Sequence, residues 1–451
     1  MSNKLNGTAS QKMHEDSVYE SARKLLVTCL LFEDNTYMNG RKATELMAEY
    51  VTKLSEKECR SLLKEAKGNH LRHAPAFWAI KMLKQGYLKA EDVDLVIDRT
   101  DLMADLLALY WSDKSNKHSI PKVLAKGIGR SFGKFDEYQL AKYKAEGKEI
   151  KLRDVLRIAH VKPENTERSE LYKKVLEGTL ATPDTWEVAL SKCHTPEEKK
   201  AEWVRLLTEK SEKGFNKLGA LALIRNLNNM EKAGVSEDLI REAINSSSMK
   251  RLLPYQIIMA AKQQPGYSAE LENKLLESMR NYEKLPGDTL FLVDVSGSMY
   301  GRGNSGTLMM VENAAATAAI VREACDNAKL YTFDTQLKDV PNSYRGMPLI
   351  DKIVGTSGGC TAVIDCTNEA IRRYKASHEG KFPARVIVIT DEGENSSYGR
   401  ALTNLPKKSH GYMVNVASNS NSVTYGVGSG WTSISGWSTS LLNYISAAEN
   451  L

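Results

Sequence analysis

The chain has 451 residues, of which 42% are hydrophobic and 26% charged, and it carries a net charge of +6. These figures suit two or more globular cores and exclude a disordered, fibrous or disulfide-scaffold chain. The polar stretch from Met1 to Tyr19 lacks a basic-then-apolar signal pattern, and the longest early apolar run, Leu25 to Phe32, is too short to span a bilayer. A cytoplasmic protein without membrane contact is therefore expected. The six Cys, at 29, 59, 193, 325, 360 and 366, show no Cys-x-x-Cys or Cys/His zinc spacing, so buried, reduced thiols are expected.

In chain order, residues 14–282 read as helix after helix. Ser55-Glu56-Lys57-Glu58 is a capping box before Cys59 to Ala66, and Thr195-Pro196-Glu197-Glu198 is another with Pro at the first helical position. Thr182-Pro183-Asp184 and Ser236-Glu237-Asp238 open helices in a similar way. Apolar residues recur at helical spacing, as at Leu152, Val155, Leu156 and Ala159, or Leu239, Ile240, Ala243 and Ile244. The reading gives roughly fourteen helices and no strand, consistent with stacked helix pairs in a HEAT-like repeat. This is the expected first domain, residues 1–285.

The charge is uneven. Residues 114–162 hold 13 Lys/Arg against 5 Asp/Glu, a balance of +8 that exceeds the whole chain's excess. Such a patch is the electrostatic footprint of a polyanion partner. On a helix over 152–162, Arg153, Arg157 and His160 fall at i, i+4 and i+7 and share a face, with the apolar residues on the other. Lys142, Lys144, Lys148 and Lys151 precede them, Lys162 follows, and Lys122, Lys126, Arg130 and Lys134 extend the patch. Lys and Arg neutralise phosphates and release counterions, giving salt-dependent affinity. His160 can hydrogen-bond a phosphate or stack on a base; its plainer role is to complete a helix carboxyl end.

The composition changes at Leu285-Pro286-Gly287, where a second domain, residues 286–451, is expected. A strand at 289–294 is followed by an Ala-rich helix from Thr307 to Asp326 and a strand from Ala328 to Phe333. A helix at 361–376 opened by Gly358-Gly359-Cys360-Thr361, strands at 385–390 and Gly411 to Ala417, and a helix near 438–448 complete the pattern. Alternating strands and helices imply a doubly wound, mainly parallel α/β sheet. The loop at 301–306 lacks Gly-Lys-Ser/Thr and reads as surface rather than phosphate-binding. Residues 290–298, Leu-Phe-Leu-Val-Asp-Val-Ser-Gly-Ser, place Asp294, Ser296 and Ser298 at the carboxyl end of a strand, the edge where open α/β sheets bind ligands. One carboxylate and two hydroxyls suit a hard cation such as Mg²⁺, leaving it electron-poor toward a partner's anionic oxygen. No Ser/His/Asp or Cys/His set has positional support, and a two-ion nuclease needs more carboxylates than this, so no catalysis is expected.

With the turn Thr and the second strand-end Asp391, this half of the chain resembles a von Willebrand factor A domain with a metal-ion-dependent adhesion site. The resemblance implies that Asp294, Ser296, Ser298 and Thr361 contact the metal and that Asp391 acts directly or through water. The family usually has Thr directly after Gly-Gly; here Cys360 intervenes, and Thr356 is the alternative to Thr361. In the helical half, Leu152-Arg153-Asp154-Val155-Leu156-Arg157-Ile158-Ala159-His160-Val161-Lys162-Pro163 resembles a signature of the TROVE module of the Ro autoantigen family. Lys142-Tyr143-Lys144, Ala222-Leu223-Ile224-Arg225-Asn226-Leu227, Ala76-Phe77-Trp78-Ala79, Asp294-Val295-Ser296-Gly297-Ser298-Met299 and Thr390-Asp391-Glu392 add to it, over about residues 13 to 448.

The resemblance implies a monomeric helical ring closed by the second domain. Small noncoding Y RNAs would bind outside it, and single-stranded 3′ ends of misfolded RNAs would enter its hole. It implies a scaffold in RNA quality control that works beside a 3′ exonuclease, polynucleotide phosphorylase in bacterial relatives, without cleaving RNA itself. Two other readings stay open: a protein–protein adaptor whose metal site captures a carboxylate, and an RNA-processing enzyme.

Overall fold

The computed structural model describes residues 9–10, 17–28, 40–68, 71, 73–112, 119–143, 149–210, 217–250, 252–280, 282–301, 309–356, 358–391, 401–416, 430–435 and 440–449. It divides into two compact units. One comprises Asp16–Phe32 and Gly40–Cys193; the other comprises His194–Leu451 with Met1–Glu15 and Glu33–Asn39. Among the described residues, no helix is long and apolar enough to cross a membrane.

Among its described residues the first unit contains helices and no strand, from Val18–Thr28 to Trp186–Ser191. The capping box at its third helix forms as the sequence predicts: Ser55 N–H donates to Glu58 Oε2 (2.8 Å) and Glu58 N–H to Ser55 Oγ (3.3 Å). Its core is apolar, with Leu62, Leu63 and Trp78 fully buried, and the Trp78 indole N–H finds the Cys59 carbonyl at 3.0 Å. Helices Ala90–Val96 and Lys122–Gly133 cross closely at Gly127, where any Cβ would run into Val93. The helix expected from Thr182 starts later. Thr185 is the N-cap of Trp186–Ser191, its Oγ1 accepting from Val188 N–H, and Pro183 sits outside.

Among the described residues, seventeen α-helices lie between Val18 and Met279, against the fourteen or so expected. The surplus comes from helices of six or seven residues, such as Glu137–Lys142, Ala220–Arg225 and Leu227–Lys232. They are shorter than the window over which a 3.6-residue period is legible.

The second unit carries a seven-stranded sheet. The strands are β1 (Ala9–Ser10), β2 (Leu285–Asp294), β3 (Cys325–Phe333), β4 (Leu337–Val340), β5 (Arg385–Thr390), β6 (His410–Asn415) and β7 (Trp431–Ser435). Their order is β1-β7-β6-β5-β2-β3-β4; β4 and β1 are antiparallel edge strands, and every other pairing is parallel. The sequence reading lacks β1, β4, β7 and the helix Gly346–Val354, all short or set among Gly and Ser. From Leu290 to Asp294 every residue of β2 is buried. Leu290 and Leu292 pack with the Val363–Ser377 helix. Phe291 and Val293, pointing the opposite way, are just as buried beneath the layer that holds the Ala-rich Met310–Ala324 helix. Helices therefore cover both faces, which is why Leu290–Val293 of β2 and Val386–Ile389 of β5 are continuous apolar runs rather than alternating.

Apart from the edge strand β1, the sheet starts at Leu285, where the composition changes, but the main segment of the compact unit around it starts at His194. Helices before the sheet are tied to helices of the sheet. Lys262 Nζ pairs with Glu312 (2.5 Å), and Glu272 Oε2 accepts from Met347 N–H (2.8 Å) at the start of Gly346–Val354. Gly346, at φ +47°, leaves no room for a Cβ beside the Glu272 carboxylate. Burial pushes the Glu272 carboxyl above its ordinary value, with the Met347 N–H pulling the other way.

Candidate functional site

The chain passes from β2 to β3 on one side and later to β5 on the other, so the strand order reverses between β2 and β5. Loops leaving the carboxyl ends of two such strands diverge and open a crevice, the usual ligand position in open α/β sheets. Asp294 ends β2, and Asp391 follows β5. Thr390 Oγ1 bridges the two strands by donating to Asp294 Oδ2 (2.6 Å), and Ser296 N–H donates to Asp294 Oδ1 (2.8 Å). The Asp294 side chain is fully buried; burial pushes its carboxyl up to about 6 against these two hydrogen bonds, and the Asp391 carboxylate adds to the rise. Ser296 Oγ and Ser298 Oγ lie 3.3 Å apart in the turn that follows.

The turn bearing Thr361 is fastened to the same edge. Gly297 N–H donates to the Gly359 carbonyl (3.0 Å), and Ala362 N–H to the Asp334 carbonyl (2.9 Å). A Cβ on Gly358 would lie 2.6 Å from Asp334 Cβ and 2.8 Å from the Val295 carbonyl, so only Gly fits there. Thr361 is buried. Thr356, the alternative, donates its hydroxyl to the Lys352 carbonyl (2.9 Å), and its own carbonyl accepts from Tyr300 O–H (2.9 Å). Cys360 is exposed, contrary to the expectation of buried thiols; Cys59, Cys325 and Cys366 are buried, and Cys193 is half-buried.

Two residues outside the expected ligand set belong to this edge. One is Thr390, which precedes Asp391. The other is Asp334, which follows the apolar run of β3 just as Asp294 ends that of β2. Asp334 takes Gln336 N–H (2.8 Å) and Lys338 Nζ (2.9 Å); against the upward push of burial, these partners hold its carboxyl below the ordinary value. A strand-end Asp after an apolar run is the signal that points to it.

The donors on this edge are all oxygens, which fits a hard divalent cation and not zinc. Two buried carboxylates whose charges oppose each other gain from a cation between them. Among the described residues, no group of three or more His, Cys, Asp or Glu is placed to hold a metal. A cation here would therefore rely on the hydroxyls of Ser296, Ser298 and Thr361 beside Asp294 and Asp391.

The basic segment is built differently. Lys122, Lys126, Arg130 and Lys134 are all exposed along one side of the Lys122–Gly133 helix and the turn that ends it. Two of them are not open cations. Arg130 pairs with Glu91, and Lys134 pairs with Asp94 (2.6 Å) and reaches the Ile97 carbonyl (3.1 Å). Its own backbone N–H and Arg130, with a smaller pull from Lys126, hold the Glu91 carboxyl below its ordinary value. The acidic row of the Ala90–Val96 helix thus cancels much of this part of the patch.

Lys144 and Lys148 lie outside the described residues. Lys142, Lys151, Arg153, Arg157, His160 and Lys162 are exposed. Among the described residues no carboxylate pairs with Lys142, Lys151, Arg157 or Lys162, and Arg153 has only a loose 3.9 Å approach to Asp154.

The shared face of Arg153, Arg157 and His160 needs correction. The helix ends at Ile158, so only Arg153 and Arg157 stand one turn apart, over buried Leu152, Val155 and Leu156. His160 lies beyond the end at φ +48°, in the left-handed region. Its N–H donates to the Arg157 carbonyl (3.1 Å) and Val161 N–H to the Leu156 carbonyl (3.2 Å). This is a Schellman ending, in which the left-handed position usually holds Gly. A side chain there costs about 1 kcal/mol, so His160 is held in a conformation that helix termination alone would assign to another residue.

No family model and no curated protein sequence matches this chain. A solved structure does: the crystal structure of the Deinococcus radiodurans Ro (RSR) protein aligns over 100% of this chain and 97% of that chain, with a TM-score of 0.62 at 15% sequence identity. At that identity the likeness establishes the fold: this chain is folded as that Ro protein is, along its whole length.

Proposed function

We propose that this chain is an RNA-binding protein of the Ro family. Its helical module would grip small structured noncoding RNAs of the Y type, and with them the unpaired 3′ ends of misfolded RNAs. One observation carries this reading: Lys142, Lys151, Arg157 and Lys162 stand exposed within a short stretch and without a carboxylate partner among the described residues, in a chain that has a Ro protein's fold. Unpaired surface cations repel one another, and a row of phosphates relieves that repulsion while releasing counterions. Arg153 and Arg157 are presented by a helix whose opposite side is anchored in the core, so the cations meet RNA on a rigid support.

In the same reading the sheet edge is the adhesion site of a von Willebrand factor A domain. Asp294, Ser296, Ser298, Thr361 and Asp391 would hold Mg²⁺, which when bound supplies an electron-poor centre for an acidic oxygen of a partner. Asp294 and Asp391 carry the charge, Thr390 and Ser296 fix the orientation of Asp294, and the hydroxyls add no further charge, so the centre remains open to an anion. The protein acts as a scaffold; a separate 3′ exonuclease would carry out any cleavage.

The test is fluorescence anisotropy of a labelled hairpin RNA with a single-stranded 3′ tail, titrated with the full chain at several salt concentrations. Expected are saturable binding that falls linearly in log–log form with salt and no shortening of the RNA on a gel. Affinity indifferent to salt, or intact after Lys142, Arg153, Arg157 and His160 are all replaced by Ala, would falsify the reading. Calorimetric titration of Mg²⁺ into the wild type and Asp294→Ala tests the metal site separately.

A further inference from the structure

Among the described residues, four large apolar side chains are strongly exposed, and only one of them, Tyr138 at 44%, is aromatic. It lies on the Glu137–Lys142 helix, and Lys142, one turn on, brings its ammonium to 5.6 Å from the Tyr138 ring centre and 5.4 Å from that of Tyr143. The support is stiff. Asp136 closes a capping box with Gln139 (2.7 and 3.1 Å). Tyr143 is covered by the Arg99 guanidinium at 4.4 Å, itself held by both oxygens of Asp101, and Thr100 Oγ1 donates to the Gln139 and Tyr143 carbonyls.

The acids close by are already engaged. Asp136 caps the helix, and Glu137 takes Lys174 Nζ (2.7 Å) and Ala181 N–H (2.9 Å). What remains on this turn is an exposed aromatic ring beside a cation that has no carboxylate partner among the described residues. A protein partner would have to bring an apolar group and an acid together here. A nucleotide carries a planar base and a phosphate in one unit, and every base has a face to stack.

We propose that Tyr138 and Lys142 form a nucleotide seat, in which an unpaired base stacks on Tyr138 and its phosphate lies against Lys142. The seat rests on the RNA-binding reading and supplies a contact for the unpaired ends that reading invokes. A duplex buries its base faces, so the protein would distinguish RNAs by whether they offer an unpaired base.

The experiment uses the full chain with two labelled probes, a hairpin with a single-stranded tail and the same hairpin without it, and a tail carrying 2-aminopurine. Tyr138→Ala is expected to weaken binding of the tailed hairpin roughly 5- to 150-fold, the range for losing one stacked base, and to weaken binding of the tailless hairpin, whose unpaired bases are confined to its loop, by less. Tyr138→Phe should bind as the wild type does, and both should quench 2-aminopurine where Tyr138→Ala does not. If Tyr138→Ala, with an unchanged melting curve, binds the tailed hairpin normally, the seat is overturned while RNA binding stands, and the ring belongs to a protein partner. If the wild type binds neither probe, the seat and the RNA-binding reading fall together.

Discussion

The basic segment and the sheet edge place polar groups in opposite ways. Around Arg153 and Arg157 the charges are exposed, and nothing in the fold depends on them; the apolar side of the same short helix does the folding. Around Asp294 the polar groups are buried and bonded to one another and to the backbone, so they are packed into the fold rather than laid on it. The contrast says where a change will register: in the first region as altered binding at constant stability, in the second as altered stability with binding lost alongside.

The strongest way to break the contrast is Gly358→Val. Its side chain has no room against Asp334 and the Val295 carbonyl, so a loss of about 3 kcal/mol is expected from overpacking, together with loss of Mg²⁺ binding; urea unfolding and calorimetry check it. A next test replaces Lys142, Lys151, Arg153 and Arg157 together by Ala. RNA affinity should fall about 100-fold and the salt slope should flatten. The melting temperature should stay where it is, since exposed side chains contribute little to folding; a large drop would mean these cations are structural.

His160→Gly sharpens the contrast by changing sign between its two readouts. Relief of the left-handed position should raise stability by about 0.5–1 kcal/mol, while RNA affinity falls. A stability gain with affinity intact would make His160 a helix terminator only. The smallest effect belongs to Arg130→Ala, whose guanidinium already faces Glu91. RNA affinity should change less than about threefold, in keeping with the small worth of a surface ion pair, and a loss as large as that of Arg157→Ala would show that the pair opens on binding.

Much of the sheet unit was legible because its strands are buried on both faces. A run such as Val386 to Ile389 is apolar regardless of register, and the polar residues that end such runs mark the carboxyl edge. The bonding within that edge was not legible. Thr390 meets Asp294 across 96 positions of sequence, and the Asp334–Lys338 pair looks like any surface pair until the Gly358 turn is laid over it. In the helical unit, periodicity located the longer helices but not the end of Leu152–Ile158, because a terminus set by a left-handed residue is normally announced by Gly and here is made by His160.

By itself the sequence determined the two kinds of secondary structure, the place where one gives way to the other, and the concentration of cations between 114 and 162. Composition and period are local properties, and each can be read without knowing what touches what. Only the tertiary structure decided which cations remain open. Glu91 and Asp94 stand about forty residues from Arg130 and Lys134, and they cancel them because the Ala90–Val96 helix packs against Lys122–Gly133 through Gly127. Charge counts add along a chain, but electrostatic compensation depends on distance in space, and folding alone sets that distance.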